Sequence, residues 1–99
     1  MRAFYCDLLD MREIPKPAPL QGRGGFWAGA GSIVVHFGVD PDFKPATKAH
    51  PAFVISDLDG LATRLSDAPH PVTWDHSLPS VKRFFSADPV GNRIEFIAA

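Results

Sequence analysis

The chain has 99 residues, a length that fits one domain and leaves little room for a second. Apolar residues make up 45% of it and charged residues 21%, which are ordinary proportions for a globular protein with a core. The net charge of −1 comes from interspersed acidic and basic residues. The sequence therefore has neither a basic stripe for binding nucleic acid nor a charged tail.

The apolar runs also exclude a transmembrane segment, because each is only a handful of residues long. Cys6 is the only cysteine, so no internal disulfide can form, which fits a reducing compartment. The N-terminal residues lack the long apolar region of a signal peptide. We therefore expect a soluble cytoplasmic protein.

The first half of the chain is predicted to run helix, strand, long loop and two strands. Apolar residues spaced four apart predict a helix from Arg2 to Leu9. The letters MREI indicate a short strand, and the Pro- and Gly-rich PKPAPLQGRGG indicates a connection. FWAGA and SIVVHFG are then typical of two strands that are joined by a tight turn.

The second half is predicted to run strand, helix, strand, loop and two strands. HPAFVIS has Pro51 near its start, where a strand tolerates a missing N–H. Ser56 or Asp57 caps a helix whose apolar residues follow at i, i+3, i+4 and i+7. VTW, VKRFFSA and RIEFIA indicate three strands, the last two joined by the turn DPVGN. The halves therefore match as a repeat, except that the first half lacks a strand before its helix.

Three of the predicted strands each place one possible ligand on the face opposite their bulky apolar side chains. These residues are His36, His50 and Glu95, and aligning SIVVH with GNRIE puts His36 at the repeat position of Glu95. Each residue alone is typical of the solvated face of an antiparallel sheet. Together, two imidazoles and a carboxylate are ligand types that borderline divalent metals accept. Both interpretations stay open on the residues alone.

Three stretches, FYCDLLDMREI, KAHPAFVISDLDGL and DPVGNRIEFI, resemble the glyoxalase/bleomycin-resistance/extradiol-dioxygenase group, the vicinal-oxygen-chelate superfamily. The resemblance covers nearly the whole chain. It implies an α+β fold of paired βαβββ modules, whose strands form a cup with helices on the outer face. Module one would span about residues 1–40 and module two about residues 49–99 of a single glyoxalase-like domain.

The resemblance also implies a metal site, with ligands from the first and last strands of each module. By motif position, Glu95 and His50 would be the last-strand and first-strand ligands of module two. His36 would be the last-strand ligand of module one, where many members have Glu. The fourth ligand would come from the opening strand of module one, which this chain lacks, and Asp10 stands where the family commonly has Gly.

This departure from the family pattern places Met1 almost at the first helix. We expect that either the chain begins upstream of Met1 or it is a natural truncation. A missing strand would leave a sheet edge unpaired, a state that proteins avoid by pairing or covering the edge. We therefore expect a tight homodimer in which the partner chain or a rearranged element covers the gap.

The resemblance implies a metal-dependent enzyme, either a lyase or isomerase or a dioxygenase. A divalent Fe, Zn, Ni or Mn ion on His36, His50 and Glu95 would polarise vicinal oxygens of a small-molecule substrate, with Glu95 as the catalytic carboxylate. One alternative is a metal-free, antibiotic-type binding protein similar to bleomycin resistance proteins. Another is an inactive truncated paralog.

Four further residues are candidates for a substrate pocket beside this site. The aromatic residues Trp27, Trp74 and Phe85 would line it, although aromatic residues also fit a core. Arg93 lies two positions from Glu95 on the same strand face. It would either pair with that carboxylate or recognise an anionic substrate.

Overall fold

A computed structural model describes all 99 residues of the chain. The backbone forms two compact units, an N-terminal unit of Arg2–Lys44 and a C-terminal unit of Pro45–Ala99 that also includes Met1. None of the helices is long and apolar enough to cross a membrane.

The N-terminal unit contains a three-stranded antiparallel sheet. Its strands are β1 (Arg12–Ile14), β2 (Phe26–Ala30) and β3 (Ile33–Phe37), and they lie in the order β1-β2-β3. A two-residue turn joins β2 to β3 and begins with Gly31, whose φ of 57° lies in the left-handed region. Glycine adopts this region without strain, so it suits a tight hairpin. The strands predicted in this half are all present.

The first helix differs from the prediction, because it is a π-helix over Ala3–Leu8. Its wide turn closes through a hydrogen bond from the N–H of Leu9 to the carbonyl oxygen of Phe4, at 3.0 Å. A wider turn rotates each successive residue by a smaller angle than an α-helix does. The neighbouring Phe4 and Tyr5 are both buried. Asp10 follows with a φ of 59°, so it takes the left-handed conformation that glycine would adopt more easily.

The Pro- and Gly-rich connection also contains a helical segment that the sequence did not predict. Residues Ala18–Arg23 form a 3₁₀-helix, in which the N–H of Leu20 donates to the carbonyl oxygen of Pro17 at 2.9 Å. Proline at the start of a helix lacks only an N–H that would have no helical partner. The prolines here are therefore compatible with the short helix.

The C-terminal unit is a four-stranded sheet with one α-helix, in the predicted βαβββ order. Its elements are β4 (Ala52–Ile55), α1 (Leu58–Asp67), β5 (Thr73–Asp75), β6 (Arg83–Ala87) and β7 (Arg93–Ala98). The strands lie in the order β4-β7-β6-β5, with β4 parallel to β7 and the other pairs antiparallel. The predicted fold class is confirmed.

Helix α1 packs against β7 and covers one face of this sheet. The carboxylate of Asp57, one of the two predicted capping residues, caps the helix by accepting the N–H of Gly60 at 3.1 Å. The apolar stripe of α1 is buried, and Leu65 is fully so. Phe84 and Phe96 are also fully buried, and their rings are in contact. The core of the unit therefore lies between α1 and one face of the sheet, and the charged residues Arg83, Arg93 and Glu95 lie on the other face.

The turn between β6 and β7 fixes how these strands align. One carboxylate oxygen of Asp88 accepts the N–H groups of Val90 and Asn92, at 3.0 and 2.9 Å. Gly91 has a φ of 91°, a conformation in which a side chain would be strained. The resulting register places Phe85 directly opposite Glu95.

Strand β3 has an outer edge that no strand of this chain pairs with. Ile33 and Val34 on this strand are 46% and 53% exposed. In the C-terminal unit, the corresponding last strand β7 is paired on both sides, by β4 and β6. The first module therefore lacks its opening strand, as predicted.

Candidate functional site

Glu95 lies on the face of the C-terminal sheet opposite α1, and it is only 7% exposed. Side chains alternate along a strand, so Ile94 and Phe96 point into the core while Glu95 points to the other face. Phe85 reaches that same face from the neighbouring strand β6, since it is the register partner of Glu95. A nearly buried carboxylate needs polar partners to offset its lost hydration.

His50 supplies the first of these partners. It lies two residues before β4, which runs parallel to β7 with Ala52 opposite Glu95. The backbone N–H of Glu95 also donates to the carbonyl oxygen of Pro51 at 3.0 Å, which holds this segment against β7. As a result, the Nε2 atom of His50 lies 2.9 Å from the Oε1 atom of Glu95. The structure thus brings together two of the three predicted ligands.

The second ring nitrogen of His50 indicates which tautomer is present. Its Nδ1 atom lies 2.8 Å from the carbonyl oxygen of Lys48, and a carbonyl can only accept a hydrogen bond. Nδ1 therefore carries a proton, and in the neutral imidazole Nε2 is left with a lone pair facing Glu95. Two acceptors facing each other at this distance need a proton or a cation between them. Histidine ligands of metals commonly donate their other N–H to a backbone carbonyl in this way.

Arg83 is the second partner of Glu95, and the sequence reasoning missed it. Its Nη1 atom lies 3.0 Å from the Oε2 atom of Glu95, and its Nη2 atom lies 2.6 Å from the Oδ2 atom of Asp75. Arg83 therefore bridges two carboxylates from two different strands. The sequence contains a signal for this contact, because the DPVGN turn sets the register of β6 and β7. Arg83 lies two residues before Phe85 on β6 and therefore shares the sheet face of Phe85 and Glu95.

These contacts determine the charge state of Glu95. In the metal-free protein a proton on Nε2 makes His50 a hydrogen-bond donor to Glu95, which lowers the pKa of the Glu95 carboxyl, and Arg83 adds to this effect. Burial acts in the opposite direction, but the net shift of the pKa is downward. The pKa of Asp75 is also lowered, by hydrogen bonds from Ser77 and then Arg83. Both carboxylates are therefore ionised at neutral pH.

Phe85 lies at the centre of the cationic and imidazole groups on this face. The guanidinium carbon of Arg93 lies 4.1 Å from its ring centroid, and that of Arg83 lies 5.2 Å away. The imidazole of His50 contacts the same ring edge-on, with 5.4 Å between centroids. Both oxygens of Glu95 are taken by His50 and Arg83, and Arg93 makes no ion pair. The structure therefore does not contain the predicted ion pair between Arg93 and Glu95.

His36 and Trp27 lie together in the N-terminal unit. They are register partners on β3 and β2, and their rings stack with centroids 3.6 Å apart and planes 3° from parallel. The side chain of His36 is exposed. Neither unit by itself brings together three His, Cys, Asp or Glu side chains that could hold a metal ion. The roles of His36 as a ligand and of Trp27 as a pocket residue stay predictions.

Trp74 lies away from the other predicted pocket residues of its unit. It is the register partner of Phe84 on β6, and the two rings meet edge to face with 5.2 Å between centroids. Phe84 belongs to the buried face beneath α1, so Trp74 is on the side of the sheet opposite Glu95. Trp74 borders a cleft of about 290 Å³ beneath the loop between β5 and β6, together with His76.

Several solved structures are similar to this chain. A protein from Bacillus anthracis assigned to the glyoxalase family is 45% identical, with a TM-score of 0.92, over 98% of this chain and 80% of that one. Lactoylglutathione lyase from Agrobacterium tumefaciens is 18% identical, with a TM-score of 0.68, over 98% and 81% of the two chains. The fosfomycin resistance protein FosX from Listeria monocytogenes is 14% identical, with a TM-score of 0.79, over 98% and 79%. The last two show the fold alone. No protein-family model matches the chain, and no curated protein matches it.

Proposed function

Because the chain belongs to the glyoxalase family of the glyoxalase/bleomycin resistance/dioxygenase superfamily, we propose that it is a metal-dependent enzyme acting on vicinal oxygens of a small molecule. The observation that carries this proposal is the 2.9 Å approach of His50 Nε2 to Glu95 Oε1. The Nδ1–H of His50 donates to a backbone carbonyl, so in the neutral imidazole the lone pair of Nε2 faces the carboxylate. A divalent cation between the two groups would satisfy both of them.

His50 and Glu95 would hold the metal from the C-terminal unit, and His36 would complete a set of two imidazoles and one carboxylate. Fe, Zn, Ni and Mn all accept such a set. The bound ion would supply Lewis acidity to oxygen atoms of the substrate. Three protein ligands leave coordination positions free, which is typical of catalytic rather than structural sites.

The remaining residues of this face would orient the ligands and the substrate. Arg83 holds the second oxygen of Glu95 at 3.0 Å and is itself fixed by Asp75. This contact would keep the Oε1 atom of Glu95 directed toward His50, as partners of metal ligands commonly do. The ring of Phe85 would give the substrate an apolar surface beside the ligands.

Elemental mass spectrometry on tag-free protein purified without chelator tests this proposal. We expect near-stoichiometric metal in the wild-type protein and its loss in Glu95→Gln, with both proteins folded by circular dichroism. Glu13→Gln is the matched control, because Glu13 forms an exposed ion pair with Arg2 on the other unit. Equal metal content in wild type and Glu95→Gln would refute the assignment of Glu95 as a ligand.

A metal-free binding protein for a small molecule is the second candidate function. The ion pair between Arg83 and Glu95 supports it, because a carboxylate that is already neutralised binds a metal less strongly. Wild-type protein that is folded but holds no metal under these conditions would favour this function. An inactive paralog would bind neither metal nor small molecules.

The proposal includes a homodimer in a reducing cytoplasm. The unpaired edge of β3 and the exposed side chains of Ile33 and Val34 support an interface there. Cys6 is a free thiol, which fits a reducing compartment.

A further inference from the structure

We infer that Arg93 selects the substrate of this site, and that the substrate is a small molecule carrying a carboxylate, phosphonate or similar oxyanion group. This inference deepens the proposed function and rests on it for the location of the reacting oxygens beside Glu95. The anion-binding role of Arg93 itself depends only on the contacts of the C-terminal unit.

The guanidinium of Arg93 is held in place without being neutralised. It stacks over Phe85 with its central carbon 4.1 Å from the ring centroid, a cation–π contact that confines it to the sheet surface. No carboxylate pairs with it, although Glu95 lies two residues away on the same strand. The guanidinium therefore keeps its N–H donors for a ligand, and their fork matches the oxygens of an oxyanion.

The other arginine on this face differs from Arg93 in this respect. Arg83 lies between the carboxylates of Asp75 and Glu95 and is hydrogen-bonded to both. Its charge is therefore balanced within the protein. Asp75 and Glu95 carry two negative charges against the single positive charge of Arg83, so Arg93 brings the net charge of these four groups to zero, and a divalent ion on His50 and Glu95 would then leave the face with a net positive charge. An anionic ligand would neutralise it.

The distance between Arg93 and Glu95 limits the size of the substrate. Arg93 and Glu95 are two residues apart on one strand, which separates their Cα atoms by about 7 Å. A ligand that is held at Arg93 therefore reaches the Glu95 carboxylate when its reacting oxygens are only a few bonds from its anionic group. Holding the guanidinium on Phe85 before binding reduces the entropy lost when the ligand is captured.

Nuclear magnetic resonance titration with methylphosphonate and acetate tests the inference, using full-length protein first stripped of metal and then reloaded with zinc. We expect the Nε–Hε signal of Arg93 to shift and saturate in the wild type. Arg93→Gln should weaken binding by about tenfold or more, because a charge-assisted contact is lost. Arg93→Lys should be intermediate, because it keeps the charge but loses the fork.

Arg23→Gln is the matched control, because it removes the same charge from an exposed position in the N-terminal unit. Binding by Arg23→Gln should equal that of the wild type. The inference is overturned if neither probe shifts the Arg93 signal in a saturable way, or if Arg93→Gln binds them as tightly as the wild type. A preference for one probe over the other assigns the substrate to the phosphonate or the carboxylate class.

Metal content, measured on the same samples, separates this inference from the proposed function. Arg93-dependent anion binding by a protein that takes up no zinc would support the inference and contradict the metal proposal. Zinc uptake together with anion binding that does not depend on Arg93 would support the metal proposal and contradict the inference.

Discussion

At the scale of a single residue, two opposing effects act on the Glu95 carboxylate. Burial to 7% exposure favours its neutral form, whereas the hydrogen bond from His50 and the charge of Arg83 favour its ionised form. The hydrogen bonds prevail, so the pKa of Glu95 is lowered on folding. This residue therefore links the stability of the protein to pH.

The sign of this linkage follows from the direction of the shift. Because the folded pKa of Glu95 lies below its unfolded value of about 4.3, the unfolded chain binds the proton more readily. The stabilisation from Glu95 is therefore complete above the unfolded value and is lost as the pH falls through the folded pKa. Urea denaturation of metal-free protein at a series of acid pH values measures this contribution to the free energy of unfolding.

Glu95→Gln is the comparison for this measurement, because glutamine has the same shape and does not titrate. We expect the difference in unfolding free energy between wild type and Glu95→Gln to shrink as the pH falls across the acid range. If the unfolding free energies of the two proteins changed in parallel with pH, the result would contradict the effect of His50 and Arg83 on the pKa of Glu95.

At the scale of an element, the hairpin of β6 and β7 determines which side chains meet at the site. Its turn holds Asp88 at 5% exposure, with its carboxylate bound to the backbone N–H groups of Val90 and Asn92. A shift of one residue in this register would move Phe85 and Arg83 to the opposite face of β6. The turn therefore positions the site without touching it.

Asp88→Ala tests this role of the turn. Removing the acceptor leaves two backbone N–H groups without their partner, so we expect a loss of about 1–3 kcal/mol in unfolding free energy. Asp88→Asn is the matched control, because its amide oxygen can still accept from both backbone groups, while the contact of Oδ2 with the side-chain amide of Asn92 is lost. Chemical denaturation of the three proteins gives the values, and equal stability of Asp88→Ala and wild type would refute the argument.

Most elements could be predicted from the sequence because their periodicity is local. The stripe from Leu58 to Leu65 and the Asp57 cap define α1, and alternation with turn residues defines β6 and β7. The π-helix was missed, because apolar spacing does not distinguish it from an α-helix. Arg83 was missed as a partner of Glu95, because the contact depends on the pairing of two strands and not on either strand alone.

At the scale of the whole molecule, the two matching halves are not equally complete. The C-terminal unit pairs its last strand on both sides, whereas β3 in the N-terminal unit has a free outer edge. The sequence could predict this gap by comparing the halves, but it could not predict what covers it. Covering a strand edge requires pairing or packing with another segment, which the alternation along β3 does not specify.

The homodimer proposal leads to a prediction about this edge. Val34→Lys should shift the protein toward monomer, because it places a charge on a strand that we expect to be covered. Val39→Lys is the matched control, because Val39 is 70% exposed and lies in the loop after β3. Sedimentation velocity at micromolar concentration should give a dimer for wild type and Val39→Lys, and a wild-type monomer would contradict the proposal.

The most direct test of the central claim is anomalous X-ray diffraction from crystals of the metal-bound protein, collected at the absorption edge of the bound metal. We predict an anomalous peak about 2.0–2.2 Å from both His50 Nε2 and Glu95 Oε1, the distances of nitrogen and oxygen ligands to zinc-like ions. A peak elsewhere in the protein would contradict the claim that this pair holds the metal, as would crystals of the metal-loaded protein with no peak at these atoms.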